Sequence, residues 1–271
     1  MLANIELNAV SVRHQSAAIN AAYSLHGLNL SIAAGEQVAV IGASGAGKTT
    51  LLHVLACALR PGQGALKIFG SDPWSLSTAQ RHLLRTRLFL APQTPPLPPR
   101  QRVITTVLAG RLPQWSLWQA MLSLIKPSEP EAAYQALARF DLQEKLYARV
   151  DRLSGGERQR CGMARLLLSN AEILLVDEPL SALDPVLSRQ TLEVLLHEAT
   201  ARKATLLCSL HHVEFARAYF PRLIGLREGR VAFDVRREEV TDAMVEALYQ
   251  KEYGEGRPVL QHALAIDPKV F

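Results

Sequence analysis

The run Gly42-Ala43-Ser44-Gly45-Ala46-Gly47-Lys48-Thr49 restricts what this chain can fold into more than any other stretch. It fits G-x-x-x-x-G-K-[ST] without substitution, and its flanks fit as well. Gln37 to Ile41 reads as a short buried strand, and Thr50 to Leu55 reads as the opening of a helix. Strand, glycine-rich loop and helix in that order make a phosphate cradle. Glycines let the backbone close around an anion, and the loop N–H groups and helix N-terminus point at it. Lys48 supplies a mobile charge for β- and γ-phosphate oxygens, and Thr49 offers a hydroxyl to Mg²⁺. Gly42, Ala43, Ser44, Gly45, Ala46, Gly47, Lys48, Thr49 and Thr50 are therefore the expected phosphate-side contacts of a nucleotide such as ATP.

A chain of 271 residues can bury one large core or a core with a subdomain. The richest apolar run, Trp115 to Ile125, contains Gln119 and falls short of the ~18 residues a membrane span needs. Met1 to Glu6 lacks the basic start and apolar stretch of a secretory leader. Cys57, Cys161 and Cys208 are scattered, which predicts reduced thiols and not a disulfide frame. The net charge of +5 is spread without a dense basic stripe. That balance suits ATP or an anionic membrane surface, and nucleic acid is not an expected partner.

Asn4 to Arg13 alternates apolar and polar residues and predicts an edge-forming strand; Leu25 to Ile32 alternates again. The N-terminus thus reads as a small antiparallel sheet leading into a parallel core. Ala65 to Gly70 and Leu88 to Ala91 are further short strands, and Thr94 to Arg100 is a proline cluster, either a stiff spacer or a docking surface. Val103 to Ser123 has a helical pattern, and Glu131 to Phe140 is an amphipathic helix. Beyond these, Ile173 to Glu178 and Ala204 to Leu210 are apolar strands, Val186 to Ala199 is a helix, and His212 to Tyr219 is a short one. A hairpin turning at Glu228-Gly229 and a terminal helix over Glu238 to Tyr249 follow, and Gly254 to Phe271 reads as a loose tail.

Two stretches carry chemistry. Ile173 to Val176 runs into Asp177-Glu178 at a strand's carboxyl end, where open α/β sheets bind ligands. Asp177 is suited to managing Mg²⁺, and Glu178 to polarising an attacking water. Leu153-Ser154-Gly155-Gly156-Glu157-Arg158-Gln159-Arg160 opens a helix with Ser154 as N-cap and Glu157 closing a capping box. A well-capped helix accounts for it physically. The same string is similar to the signature motif of the ABC ATPases, and it stands ahead of the Asp-Glu strand as that family places it.

The resemblance covers nearly the whole chain. It implies an α/β fold with a P-loop NTPase, RecA-like core over about 1–92 and 165–253, an N-terminal antiparallel β subdomain, a helical insert over about 93–164, and a tail over 254–271. Gln93 resembles the Q-loop glutamine, which senses the metal and the transport partner. Ser181-Ala182-Leu183-Asp184 resembles the D-loop, which crosses to the other subunit. His211 resembles the switch histidine at the γ-phosphate, although His212 is adjacent. The resemblance implies Glu178, His211, Lys48 and Gln93 as the catalytic set and Thr49, Gln93 and Asp177 around Mg²⁺. Ser154, Gly155, Gly156 and Glu157 would reach the ATP of a second copy. The adenine platform is left to His14 or Tyr23. Val107 to Leu112, Leu207 to Ala216 and Leu223 to Val231 are similar to ATP-binding subunits of phosphonate-type importers. That implies a homodimer peripheral to the cytoplasmic face of the cell membrane, docked on permease subunits near Gln93 and the insert, with a solute-binding protein upstream. Importers of other small solutes, or a soluble complex such as carbon–phosphorus lyase, are the alternatives.

Overall fold

The computed structural model describes residues 3–13, 23–125 and 127–253. β1 (Ala3–Arg13) and β2 (Tyr23–Ala33) pair antiparallel, and the chain passes through β3 (Gln37–Ile41) and α1 (Lys48–Leu55) to β4 (Gln63–Ile68). β4 returns to the free side of β1, giving the order β2-β1-β4. The strand expected at an edge is therefore the middle one. Its alternation misleads because a bulge interrupts it. Ile5 and Leu7 are buried, the register shifts near Ala9, whose φ is 49°, and Val10 and Val12 are buried on the following phase.

Next come α2 (Thr78–Thr86) and β5 (Leu88–Ala91). α2 was not expected, yet it carries a capping box. The Ser77 N–H donates to Gln80 Oε1 at 3.1 Å, and the Gln80 N–H donates to Ser77 Oγ at 3.3 Å. The helical pattern from Val103 divides into α3 (Val103–Leu108), a 3-10 segment over Ala109–Gln114, and α4 (Leu117–Ile125). Pro113 has no N–H to continue an α-helix, so the run cannot be unbroken. α5 (Pro130–Ala138) and α6 (Gly155–Leu167) complete the insert.

The remaining elements are β6 (Ile173–Asp177), α7 (Pro185–Arg202), β7 (Thr205–Leu210), α8 (Val213–Tyr219), β8 (Arg222–Arg227), β9 (Arg230–Arg236) and α9 (Asp242–Tyr253). α9 starts later than expected because Arg237–Glu239 forms a separate 3-10 turn. His14 and the tail from Gly254 lie outside the described residues.

The second sheet has the order β5-β6-β7-β3-β8-β9, parallel except for the β8–β9 hairpin. Its central strands are apolar at successive positions because both faces are covered. Ala39, Ile41, Leu174 and Val176 join the core shared with α3, α5, α6 and α7. Val38, Val40, Ile173 and Leu175 join the core shared with α1 and the three-stranded sheet. Cys57, Cys161 and Cys208 are free and buried, and burial pushes the Cys57 thiol up to about 11 and that of Cys161 to about 12. No helix among the described residues is long and apolar enough to cross a membrane.

Candidate active site

Parallel strands in register deliver their next residues to one edge. Ile41 of β3 lies opposite Leu210 of β7, Asp177 of β6 opposite Ser209, and Ala91 of β5 opposite Val176. Gly42, Gln93, Glu178 and His211 follow these strand ends, so residues far apart in sequence meet at the carboxyl edge of the sheet.

The loop from Gly42 wraps its own lysine. Gly47 caps α1 with φ of 104°, and a Cβ there would lie 2.8 Å from Leu25 Cδ2 and 2.9 Å from the Ser24 carbonyl oxygen. Both the backbone conformation and the space require glycine. Lys48 is 4% exposed, and its Nζ donates to the carbonyl oxygens of Gly42 at 2.7 Å and Ala43 at 3.2 Å. The same ammonium lies 3.9 Å from Glu178 Oε1. A cleft of about 500 Å³ opens over this loop, lined by Ser24, residues 44–50, Gln93, Glu178 and His211.

Glu178 is the meeting point. Gln93 Nε2 donates to its Oε2 at 2.8 Å, and His211 Nε2 stands 2.5 Å from its Oε1. The hydrogen bond to His211 holds the carboxyl below the usual carboxylate range against the opposing effect of burial, with the charges of His211 and Lys48 assisting. His212 instead sets its ring edge-on to Phe215, with centroids 6.1 Å apart. Between the neighbouring acids, therefore, Glu178 faces the cleft. Asp177 is 2% exposed and accepts the Ser209 hydroxyl at 2.6 Å.

The backbone at Glu178 is strained, with φ of 48°. A non-glycine residue in that region costs about 1–3 kcal/mol, whereas one hydrogen bond returns a net of about 0.5–1.5 kcal/mol. Several bonds must hold it, and several do. Its N–H donates to Ser209 Oγ at 2.9 Å. Its carbonyl accepts from Gln159 Nε2 at 2.7 Å and from the Ser181 N–H at 3.4 Å. The sequence reading missed both Ser209 and Gln159. The available signal was Gln159 placed four residues before Met163 on the buried face of α6, because a carboxamide at a core position must find partners.

Ser154 caps α6 in a reciprocal box: the Ser154 N–H donates to Glu157 Oε2 at 2.7 Å, and the Glu157 N–H to Ser154 Oγ at 3.2 Å. Asp184 caps α7 by accepting from the N–H groups of Val186 and Leu187. The described lining of the cleft includes neither Ser154–Glu157 nor Ser181–Asp184. Tyr23 begins β2, and His14 cannot be placed. For a metal, Thr49, Gln93 and Asp177 offer hydroxyl, amide and carboxylate oxygens, the hard donor set that Mg²⁺ takes. Thr49 and Gln93 line the cleft, whereas Asp177 is buried, bonded to the Ser209 hydroxyl and outside that lining, so the donor types suit the ion and only two of the three residues face the cleft.

Comparison with known proteins gives this geometry its family. The family described as ABC transporter matches residues 25–181. The chain belongs to the ABC transporter ATPases. The phosphonates import ATP-binding protein PhnC of Polaromonas sp. is 58% identical over 252 residues, covering 93% of this chain and 91% of that protein. A relative of the same description in Pseudomonas aeruginosa is 54% identical, covering 84% and 86%. Among solved structures, the dimeric ATP-binding cassette MJ0796 bound to ADP and Pi has a TM-score of 0.72 at 25% identity, covering 86% of this chain and 98% of that one. The cassette MJ1267 in its ADP conformation has a TM-score of 0.74 at 21% identity, covering 94% and 100%. As an ABC ATPase, the chain hydrolyses ATP in the service of transport, and its α/β core is that of the ABC cassettes.

Proposed function

We propose that this ABC ATPase powers uptake of phosphonate, or of a related phosphorus oxyanion, through a separate permease. It would act as a homodimer at the cytoplasmic face of the cell membrane. The observation that carries the catalytic part is Glu178, bracketed by Gln93, His211 and Lys48 at the mouth of the phosphate loop. The names of the 58% and 54% identical relatives support the solute class.

Residues 42–50 cradle the triphosphate, and Lys48 exchanges loop carbonyls for β/γ oxygens. Thr49, Gln93 and Asp177 would hold Mg²⁺, which would supply charge neutralisation. Glu178 keeps its negative charge through the neutral range, which suits it to orient water for in-line attack. His211 and Lys48 then stabilise charge on the transferring group. A second copy completes each site by presenting Ser154, Gly155, Gly156 and Glu157 to the γ-phosphate, with Ser181, Ala182, Leu183 and Asp184 crossing beside them. The absence of these residues from the described lining of their own cleft, together with the dimeric MJ0796 cassette, supports this reading.

The helical insert, about residues 93–164, is the proposed permease face. Pro95, Pro96 and Leu112 line one apolar groove there, and Trp115, Leu117 and Leu124 line the next. Pro95 rests on α6, where a Cβ on Gly162 would come within 2.7 Å of the proline ring. Movement at the permease face therefore presses on the helix that begins at Ser154.

Reconstituted with its permease and binding protein, the complex should hydrolyse ATP faster when methylphosphonate is supplied. Glu178→Gln should bind ATP, retain the closed dimer and turn over about 10²- to 10⁴-fold more slowly. Stimulation by an unrelated solute alone would overturn the substrate assignment, and normal turnover in Glu178→Gln would overturn the site.

A further inference from the structure

Gln159 is 3% exposed and makes three polar contacts from one carboxamide. Its Nε2 donates to the Glu178 carbonyl at 2.7 Å and to Ser181 Oγ at 3.2 Å, and its Oε1 accepts from the Ala182 N–H at 3.0 Å. The carboxamide therefore spans the residue that positions water and the segment that crosses to the partner. It hangs from α6, one turn beyond Ser154-Gly155-Gly156.

Each of these groups belongs to a different ATP in the proposed dimer. The tip of α6 addresses the partner's γ-phosphate, whereas Glu178 acts on the subunit's own nucleotide. The Glu178 backbone is strained, and Ser209 holds its N–H from β7. Gln159 holds the opposite peptide from α6. The conformation that aims the carboxylate into the cleft is thus fixed from one side by the sheet and from the other by the signature helix. A small displacement of α6 alters the second support and leaves the first unchanged.

We propose that Gln159 is a positioning residue that couples the two ATP sites. When the tip of α6 engages the partner's nucleotide, Gln159 sets the Glu178 peptide, and hence the orientation of that carboxylate toward the subunit's own ATP. The residue touches no reacting atom. This inference rests on the reading that Ser154–Gly156 serve the other copy's nucleotide.

The full chain with Gln159→Leu, which is one atom shorter, fills most of the space with apolar bulk and loses every polar contact, tests it. Binding of a fluorescent ATP analogue should stay within about twofold of wild type, because the phosphate loop is untouched. ATP-driven dimerisation, read in a Glu178→Gln background, should also persist. Turnover should fall about tenfold, the middle of the range for coupling between sites. The Hill coefficient for ATP should drop from above one to one. Gln159→Glu, which can still accept from Ala182 but cannot donate to Glu178, should behave like Gln159→Leu. Wild-type turnover, unchanged cooperativity, a non-cooperative wild-type dimer, or loss of dimerisation matching the loss of turnover would each overturn the proposal. Ser154→Arg separates the underlying reading: if it leaves ATP-driven dimerisation intact, the shared-site arrangement itself fails, whatever Gln159 does.

Discussion

At the scale of single residues, the site depends on Ser209 as much as on the residues whose types announce chemistry. Its hydroxyl donates to Asp177 and accepts from the Glu178 N–H, so one side chain links both acids to β7. Ser209→Ala should therefore reduce turnover about tenfold or more while ATP still binds. It should also cost about 1.5–3 kcal/mol of stability, since a buried hydrogen bond to a charged group is lost. Thermal melts and steady-state ATPase of the full chain check both. Unchanged turnover alongside a lowered melting temperature would reduce Ser209 to a packing role. Gly42–Thr49 is visible from residue type and spacing, whereas Asp177, Glu178 and His211 are singled out by the resemblance to the ABC ATPases, and of these the cleft lining includes Glu178 and His211. The sequence did not make Ser209 or Gln159 visible, because a serine in an apolar strand and a glutamine in a helix gain meaning only from what lies across the fold.

At the scale of elements, strands and caps were legible where local chemistry dominates. Asp184 and Pro185 start α7 as their residue types require, and Ser154 with Glu157 starts α6. Legibility failed where a distant partner decides, as with the central position of β1, or where one residue interrupts a pattern, as with Pro113. The α6 cap also carries a pH signature. The Ser154 backbone N–H, with Lys145 at 3.5 Å, holds the Glu157 carboxyl below the usual range. Its folded value lies below the unfolded one of about 4.3, so the stabilisation is complete above that pH and is lost as pH falls through the folded value. Glu157→Gln can still accept from Ser154 but carries no charge. Its melting temperature should lie below wild type at about pH 7, and the gap should narrow as pH falls below the unfolded value of about 4.3. A gap that widens on acidification would show that Glu157 does not stabilise the helix through its charge.

At the scale of the whole molecule, the two cores on either face of the six-stranded sheet leave one apolar surface without a counterpart in the chain's described residues. α4 presents Leu117 at 86% exposure and Trp118 at 73%, with Met121, Leu122 and Leu124 also exposed. A cluster of exposed large apolar side chains on one short helix marks a contact surface. It adjoins the grooves beside Pro96 and Leu112, on the side of the fold where Gln93 enters the cleft. On the proposed assembly, the permease covers it, and the subunit's own catalysis does not need it. Trp118→Ser should therefore leave ATP binding and the melting temperature of the separate full chain unchanged, because the ring contributes little to the core. A buried tryptophan at an interface centre is worth about 2 kcal/mol or more, roughly a thirtyfold change in affinity. Co-purification with the permease, and solute-dependent ATPase in the complex, should fall by that order. If association is unchanged while the variant alone aggregates less, α4 is an exposed surface of another kind and the permease sits elsewhere on the insert.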